Sequence, residues 1–210
     1  MNIIEPSVEI LTPIDADAVY SHLERCGRVC YKSEDKTAPG SAEKFLRRIV
    51  RSGHESVLEH FDITFKATCD RSVSHQIVRH RIASYSQESQ RYCNYTKDGF
   101  QNEVTFIKPA SFEAGTSVYH AWEQCCWQAE QAYFYLINEG CTPQEARSVL
   151  PNCTKTEIVC TMNIRELRHF LRLRTSKAAD PAIRIVALLL LTILRFKLPA
   201  LFEDIEVGKC

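Results

Sequence analysis

Residues 61–70 alternate between apolar and polar side chains without interruption, and this pattern restricts the fold more than any other segment. Apolar residues occupy every second position from Phe61 to Cys69, and aspartate, threonine and lysine occupy the positions between them. A period of two predicts a β-strand that buries one face. The chain is therefore expected to contain a sheet with one face packed against a core.

The remaining periodic segments predict short strands and several helices. Further strands are predicted at residues 8–11, 92–95, 104–107 and 157–162, with a turn at Asp98-Gly99 between the middle two. Apolar spacing and capping residues predict helices at residues 15–31, 41–53, 73–81, 111–139, 143–150, 163–174 and from 181 onward. Strands and helices stand in separate blocks, which predicts an α+β fold. We expect a single domain over residues 1–210, with a small, mostly antiparallel sheet packed against long helices.

Two helices have faces that the sequence defines. The longest carries an apolar seam that is predicted to face the core, formed by Val118, Trp122, Cys125, Ala129, Ala132 and Leu136. The helix at residues 163–174 is predicted to bury Ile164, Leu167, Phe170 and Leu171, with Arg165, Arg168, Arg172 and Arg174 on its other faces. Salt bridges are the expected role of Arg168 and Arg172.

Composition and spacing exclude several classes of protein. Formal net charge is zero, so no global field recruits nucleic acid. The ten cysteines form no CxxC pair and no signal peptide precedes them, which predicts reduced thiols in the cytoplasm. The apolar run at residues 185–194 is too short to span a membrane. No glycine-rich nucleotide loop and no spaced ligand set for a metal occurs.

Residues 73–92 concentrate three arginines and two histidines in the sequence VSHQIVRHRIASYSQESQRY. A helix is predicted to end near Arg81 and to pass into a polar loop at residues 84–90. Arginine forks match the geometry of phosphate and carboxylate groups, and serine hydroxyls add further donors. The segment therefore indicates either a site for an anionic ligand or an ordinary solvated basic helix.

Three motifs in this chain resemble those of the flavin-dependent thymidylate synthases. Arg79-His80-Arg81 with Ser84, Ser89 and Arg91 matches the pattern RHRxxSxxxxSxR. GHESVLEH at residues 53–60 resembles GHxSxxEH, and EARSVLP at residues 145–151 has the spacing found in the family. The resemblance covers nearly the whole chain, most firmly residues 53–92 and 146–174.

The resemblance implies a reaction and its cofactors. Members methylate carbon 5 of deoxyuridylate, with methylenetetrahydrofolate as the carbon donor, NADPH as the source of electrons and FAD as the group that passes on hydride. They do so without a cysteine nucleophile, so Cys93 is expected to be structural. The family also implies a cytoplasmic homotetramer with active sites shared between subunits, acting on small molecules rather than on nucleic acid or membrane.

The resemblance also assigns residues by position. Deoxyuridylate is expected to bind to Gln76, Gln87, Glu88, Ser89, Gln90, Arg91, Arg147 and Arg174. FAD is expected to bind to Ser56, Glu59, Arg79, His80, Arg81, Ile82, Asn163, Arg165, His169 and Leu173. The residues expected to act in catalysis are Arg174, Ser89, Arg91 and His54, with His54 near the flavin ring and the folate. Arg174 is expected to favour the negative charge that develops on the uracil.

The chain departs from the family at three places and leaves two alternatives open. Gln87 replaces a glutamate of some members, His169 replaces an asparagine, and residues 178–183 lack the usual glutamate. The alternatives are a non-catalytic nucleotide- or RNA-binding module, and a degenerate member that serves as a structural subunit. Lack of clustered basic and aromatic surface motifs weighs against nucleic-acid binding.

Overall fold

The computed structural model describes residues 1–208, apart from the side chain of Asp98. Its fold is α+β, with a small, mostly antiparallel sheet, as the sequence predicts. The strands are β1 Asn2–Ile4, β2 Ser7–Ile10, β3 Asp62–Asp70, β4 Ala83–Gln87, β5 Thr105–Ile107 and β6 Lys155–Asn163. The helices are α1 Ala16–Arg28, α2 Ser41–Arg51, α3 Arg71–Ile77, α4 Ser117–Asn138, α5 Pro143–Ala146, α6 Ile164–Arg174, α7 Pro181–Lys197 and α8 Pro199–Phe202.

The strands form two sheets. Four strands pair in the order β2-β3-β6-β4, and β1 pairs with β5 in parallel, with Asn2 opposite Thr105. The strand predicted from residues 61–70 is confirmed as β3, and its alternate residues Ile63, Phe65, Ala67 and Cys69 are buried. No helix within residues 1–208 has the length and apolarity needed to cross a bilayer.

The described chain separates into two compact units. Unit 1 comprises Met1–Ser7, Ala67–Arg79 and Ser86–Ile158, and unit 2 comprises Val8–Lys66, His80–Tyr85 and the chain from Val159 onward. In unit 1, the core consists of Tyr95, Val104, Phe106, Cys126, Tyr133 and Ala146, of which α4 contributes Cys126 and Tyr133. In unit 2, helices α1, α2, α6 and α7 contribute most of the buried apolar residues.

Capping residues begin α3, which precedes the RHR motif, and α6, which carries Arg165 and Arg174. The Asp70 carboxylate accepts the Val73 backbone N–H at 2.7 Å and starts α3 directly after β3. Asn163 Oδ1 accepts the Glu166 backbone N–H at 2.9 Å and starts α6 directly after β6. Such bonds satisfy donors that the first helical turn leaves unpaired. The start of α6 is where the sequence predicts it, and α3 begins at Arg71, two residues before its predicted start.

The end of the first of these helices was predicted wrongly. Helix α3 ends at Ile77 instead of near Arg81, and the supposed loop after Arg81 contains the strand β4. Strand β4 is the neighbour of β6, and the Glu88 N–H donates to the Glu157 carbonyl oxygen at 2.9 Å just beyond it. Hydrogen bonds to β6, which lies far along the chain, thus satisfy the backbone of this segment. Its serines and glutamines show no alternation of apolar and polar side chains, so the sequence does not predict a strand there.

Two further predictions in unit 1 are wrong. Residues 92–95 form no strand, because the N-terminal strand β1 pairs with β5 instead, and Tyr95 is buried against Tyr133. Helix α4 begins at Ser117 rather than at residue 111, because Gly115 has a φ of +83° and Thr116 provides the cap. A residue with positive φ cannot continue a right-handed helix.

The buried face of α4 also differs from the predicted seam. Val118 and Cys125 of that seam are exposed, whereas Cys126, Glu130 and Tyr133 are the buried residues. Glu130 can be buried because its carboxylate accepts the Val104 N–H at 2.9 Å and lies 3.0 Å from the N-terminal ammonium group. A carboxylate with such partners can therefore be buried, even though the apolar spacing predicts that neighbouring residues face the core.

Candidate active site

His80, the central residue of the RHR motif, lies buried in unit 2 between two charged side chains of α6. Its Nδ1 is 3.1 Å from Glu166 Oε1, and Arg174 Nε donates to its Nε2 at 3.1 Å. A guanidinium group can only donate, so Nε2 must be the acceptor and Nδ1 must carry the proton. The contacts therefore fix His80 as one neutral tautomer.

The ionisation of this group agrees with its contacts. Burial lowers the pKa of His80 below its ordinary value, and the charge of Arg174 acts in the same direction, whereas the hydrogen bond to Glu166 opposes both. Burial also lowers the pKa of Arg174, although a guanidinium remains charged at physiological pH. His80 is thus neutral at neutral pH, and Arg174 remains the cation.

The spacing of α6 explains how these side chains meet. Glu166, Phe170 and Arg174 recur at every fourth residue, so they lie along one face of the helix. The Phe170 ring meets His80 edge-on with centroids 4.9 Å apart, and the His169 ring lies 5.9 Å away. Sequence analysis identified His80, His169 and Arg174 but missed Glu166, whose spacing from Arg174 was the available signal.

A cavity of about 450 Å³ opens beside this cluster in unit 2. It is lined by Glu55, Glu59, Ile82, Asn163, Arg165, Glu166, His169 and Arg172. Five of these side chains are ones that sequence analysis assigned to the cofactor, namely Glu59, Ile82, Asn163, Arg165 and His169. The segment 53–60 and helix α6, far apart in sequence, therefore contribute to one cavity.

Ion pairs surround the cavity. Arg165 pairs with Glu59, and Arg172 Nη2 lies 2.9 Å from Glu55 Oε1. Burial acts to raise the pKa of Glu55, but Arg172 and Arg168 outweigh it, so the pKa lies below its ordinary value. The carboxylate is ionised at neutral pH, and the cavity wall presents fixed charges of both signs.

Arg168 was expected to lie on an outer face of α6, and that expectation is wrong. Its side chain is fully buried and forms two hydrogen bonds of 2.7 Å to the Asp204 carboxylate, with a further bond to the Leu201 carbonyl oxygen. A buried guanidinium is tolerated when charged and polar partners satisfy it. The expectation that Arg168 and Arg172 form salt bridges is confirmed.

Other residues assigned by the resemblance lie outside this cavity. His54, Ser56 and Arg81 are exposed in unit 2, and Arg79 is exposed at the end of a segment of unit 1. Leu173 is half-exposed and, with Arg174, lines a second and more apolar cavity of about 570 Å³. This second cavity also includes Ala178 and Ala179, from the segment that departs from the family pattern.

Most residues assigned to deoxyuridylate belong to unit 1, where the last residues of β4 and the turn after it hold several of them. The Gln87 amide donates to the hydroxyl oxygens of Ser74 at 2.9 Å and Thr156 at 3.2 Å. Glu88 accepts from Lys155 Nζ at 2.9 Å. These contacts orient the two side chains from the supporting strands.

The turn after β4 carries the rest of the motif. Ser89 and Gln90 lie within it, Ser89 partly and Gln90 almost wholly buried, and Arg91 is exposed. The Arg91 Nε–H donates to Gln144 Oε1 at 2.7 Å, at the start of α5. Arg147 follows α5 in a short 3₁₀ turn and is partly exposed, and Gln76 is partly exposed on α3.

Cys93 lies two residues beyond Arg91, in a position that could suggest a nucleophile. Its thiol is partly buried, and burial together with the nearby Glu88 carboxylate raises its pKa above the ordinary value. The thiolate is the nucleophilic form of cysteine, so a raised pKa makes attack less favourable. In the part of the chain that the structure describes, His, Cys, Asp and Glu side chains nowhere form a group of three that could hold a metal ion.

Sequence comparisons place residues 16–200 within the family described as Thymidylate synthase complementing protein. The flavin-dependent thymidylate synthase of Geobacter sulfurreducens is 39% identical over 188 residues, which cover 86% of this chain and 79% of that protein. The enzyme of Pyrococcus furiosus is 41% identical, with 74% of this chain and 64% of that protein covered. The enzyme of Mycolicibacterium gilvum is 36% identical, with 96% and 85% covered.

A solved structure is also similar to this chain over nearly its whole length. The crystal structure of a UMP/dUMP methylase PolB from Streptomyces cacaoi, bound with 5-Br dUMP, superimposes with a TM-score of 0.78. The two sequences are 25% identical, and the match covers 97% of this chain and 96% of the other.

Proposed function

Because the chain belongs to the flavin-dependent thymidylate synthase family, we propose that it methylates carbon 5 of deoxyuridylate to give thymidylate, with FAD as cofactor. The observation that carries the proposal is the cavity of unit 2, since five residues assigned to the flavin by motif alone line it together. Residues spread over more than a hundred positions of sequence would rarely line one cavity without a shared role.

The residues around the cavity fit a flavin in their chemistry. Arg165 and Arg172 are cations suited to a pyrophosphate, Asn163 and His169 offer hydrogen-bonding groups, and Ile82 offers an exposed apolar side chain for a flat ring. Bound FAD would supply hydride chemistry, and these side chains would hold and orient it. Ser56, Arg79, Arg81 and Leu173 are proposed to contact parts of the cofactor that extend beyond the cavity.

Arg174 is proposed to polarise the uracil ring. Its Nε–H bond to His80 fixes the plane of the guanidinium group, and Glu166 in turn fixes the His80 tautomer. A preorganised cation of this kind favours negative charge that develops in the transition state and needs no covalent adduct. His80, which the resemblance assigns to FAD, is therefore proposed to position Arg174 together with Glu166.

The residues of unit 1 are proposed to bind the nucleotide. Arg91 and Arg147 would orient the phosphate or the base, and Ser89 would donate a hydrogen bond to the substrate instead of attacking it. The other residues proposed to contact the nucleotide are Gln76, Gln87, Glu88 and Gln90. Gln87 cannot act as an acid or a base, so its proposed contribution is hydrogen bonding alone.

The carbon donor and the electron source are further parts of the proposal. Methylenetetrahydrofolate would supply the carbon, with His54 near it, and NADPH would supply the electrons. The raised pKa of Cys93 supports a reaction without a cysteine nucleophile. We also propose that the enzyme acts in the cytoplasm as a homotetramer that shares active sites between subunits.

The experiment is a product assay on the purified, flavin-stripped chain, supplied with FAD, NADPH and methylenetetrahydrofolate. Deoxyuridylate should be converted to thymidylate, and the product should disappear when any one of these components is omitted. UMP should be tested in parallel because the structural relative is named as acting on both nucleotides. Salt-dependent binding to long RNA, with no thymidylate formed, would instead support the non-catalytic alternative.

A further inference from the structure

Two thiols lie in direct contact in unit 1, and neither belongs to the residues assigned to the reaction. Cys126 Sγ, on helix α4, is 3.6 Å from Cys153 Sγ, in the turn that leads into β6. Cys126 is 1% exposed, and Cys153 is partly exposed at the edge of the same apolar cluster. The two sulfur atoms are therefore within van der Waals contact and 27 residues apart in sequence.

The surroundings make the two thiols unequal. The hydrogen bond between the two sulfur atoms lowers the pKa of Cys153, and the Trp122 side chain lowers it further, although burial opposes both. The same hydrogen bond and burial raise the pKa of Cys126. Cys153 is thus the more acidic and more accessible thiol, and Cys126 is a protonated neighbour in contact with it.

We propose that Cys126 and Cys153 are a peroxide-sensitive thiol pair that forms a reversible disulfide. The Cys153 thiolate attacks one oxygen of hydrogen peroxide, so that an S–O bond forms, the O–O bond breaks, and the released hydroxide takes up the thiol proton as water. The Cys126 sulfur then attacks the Cys153 sulfur, and its proton leaves with the hydroxyl group as a second water. Two thiols lose two electrons in total, and the peroxide gains them.

The position of the pair determines what the disulfide would constrain. The Ile107 N–H donates to the Cys153 carbonyl oxygen at 2.8 Å, and Thr154 forms an antiparallel bridge with Phe106. A covalent bond from Cys126 would therefore fasten α4 to the backbone junction of β5 and β6. Closing this loop restricts the unfolded chain, so the oxidised protein should melt at a higher temperature than the reduced one.

The test is to treat the reduced, folded chain with about one equivalent of hydrogen peroxide, the stoichiometry of the step above. Remaining thiols are then blocked with N-ethylmaleimide at acidic pH, and the chain is digested with trypsin. Cys126 falls in the peptide of residues 98–147 with Cys125 and Cys141, and Cys153 falls in the peptide of residues 148–155. We expect these two peptides to be joined, and to separate again after treatment with a thiol reductant.

Matched variants identify the sulfur in the larger peptide. Cys126→Ser should abolish the cross-link, whereas Cys125→Ser, which removes the exposed neighbour, and Cys141→Ser should retain it. If Cys126→Ser does not fold, fragmentation of the wild-type cross-linked peptide identifies the linked residue directly. Unfolding the wild-type chain in urea before oxidation should lower the yield, because the contact exists only in the fold.

Three results would overturn the proposal. The first is a wild-type chain in which both thiols remain free while other cysteines are oxidised. The second is a cross-link that ends at Cys125 or Cys141, and the third is an equal yield from the folded and the urea-unfolded chain. Activity is not the readout, so the outcome is independent of the proposed function.

Discussion

Arg91 is an exposed cation of the motif, held by its Nε–H bond to Gln144 at the start of α5. If it orients the nucleotide, Arg91→Ala should reduce deoxyuridylate-dependent turnover by on the order of a hundredfold, by analogy with the loss of one preorganised donor. The fold should be unaffected, as judged by circular dichroism. Lys97→Ala, which removes another exposed cation of the same unit, is the control and should keep full turnover. Normal turnover in Arg91→Ala would remove its assigned role.

Substitution of Cys93 tests the proposal that the reaction uses no cysteine nucleophile. The raised pKa of its thiol favours the unreactive, protonated form. We therefore expect Cys93→Ser to keep thymidylate formation within about twofold of the unaltered chain, since near-isosteric exchanges outside the chemistry change little. A variant that still binds flavin but forms no thymidylate would show that the thiol takes part in the reaction.

His80 should make the stability of the chain depend on pH. Its folded pKa lies below the unfolded value of about 6.5, so the unfolded chain binds the proton more readily. The stabilisation is complete above about pH 6.5 and is lost as the pH falls through 6.5 toward the folded pKa. Urea unfolding should show a shallower decline over this range in His80→Gln than in the exposed control His75→Gln. Identical declines in both variants would contradict the buried neutral state, in which Glu166, Arg174 and His169 face the ring.

At the scale of elements, helices α1 and α2 pack closely at Gly27. A Cβ atom at this position would lie 2.7 Å from Phe45 Cζ, and the Arg28 guanidinium 5.0 Å above the ring restricts its movement. Gly27→Ala should therefore lower the free energy of unfolding by about 1–3 kcal/mol, despite the helix preference of alanine. Gly99→Ala has open space around the added methyl group and should change stability by less than about 0.5 kcal/mol. Thermal and urea unfolding of both variants measure the change in the free energy of unfolding. Equal free energies for the two variants would show that the two helices adjust freely.

The features of helices and strands that the sequence predicts correctly depend on residues close together in the chain. The caps of α5 and α6, the alternation of β3 and the four buried residues of α6 follow from spacing within one element. Strand β4 and the pairing of β1 with β5 depend on partners far along the chain, which periodicity does not reveal. The buried face of α4 was misjudged because Glu130 is neutralised by the N-terminus, a contact between distant residues.

At the scale of the whole molecule, motif resemblance indicated the family, but it did not show how the motif is held. The motif gives His80, and helix α6 gives Arg174, yet their hydrogen bond joins residues 94 positions apart, and Glu166 lies 86 positions from His80. Such contacts depend on the packing of β6, α6 and the segment after α3. The role of His80 as a neutral positioning residue therefore follows from the contacts in the structure and not from the motif alone.

In the proposed reaction, hydride from a reduced flavin would complete the methyl group at carbon 5 of the uracil. The most direct measurement is a single turnover under anaerobic conditions, in which flavin-loaded protein is reduced with NADPH and then mixed with deoxyuridylate and methylenetetrahydrofolate. We expect the visible absorbance of oxidised flavin to return and one thymidylate to form for each flavin reoxidised. Folded protein whose reduced flavin persists after mixing, with no thymidylate formed, would contradict it.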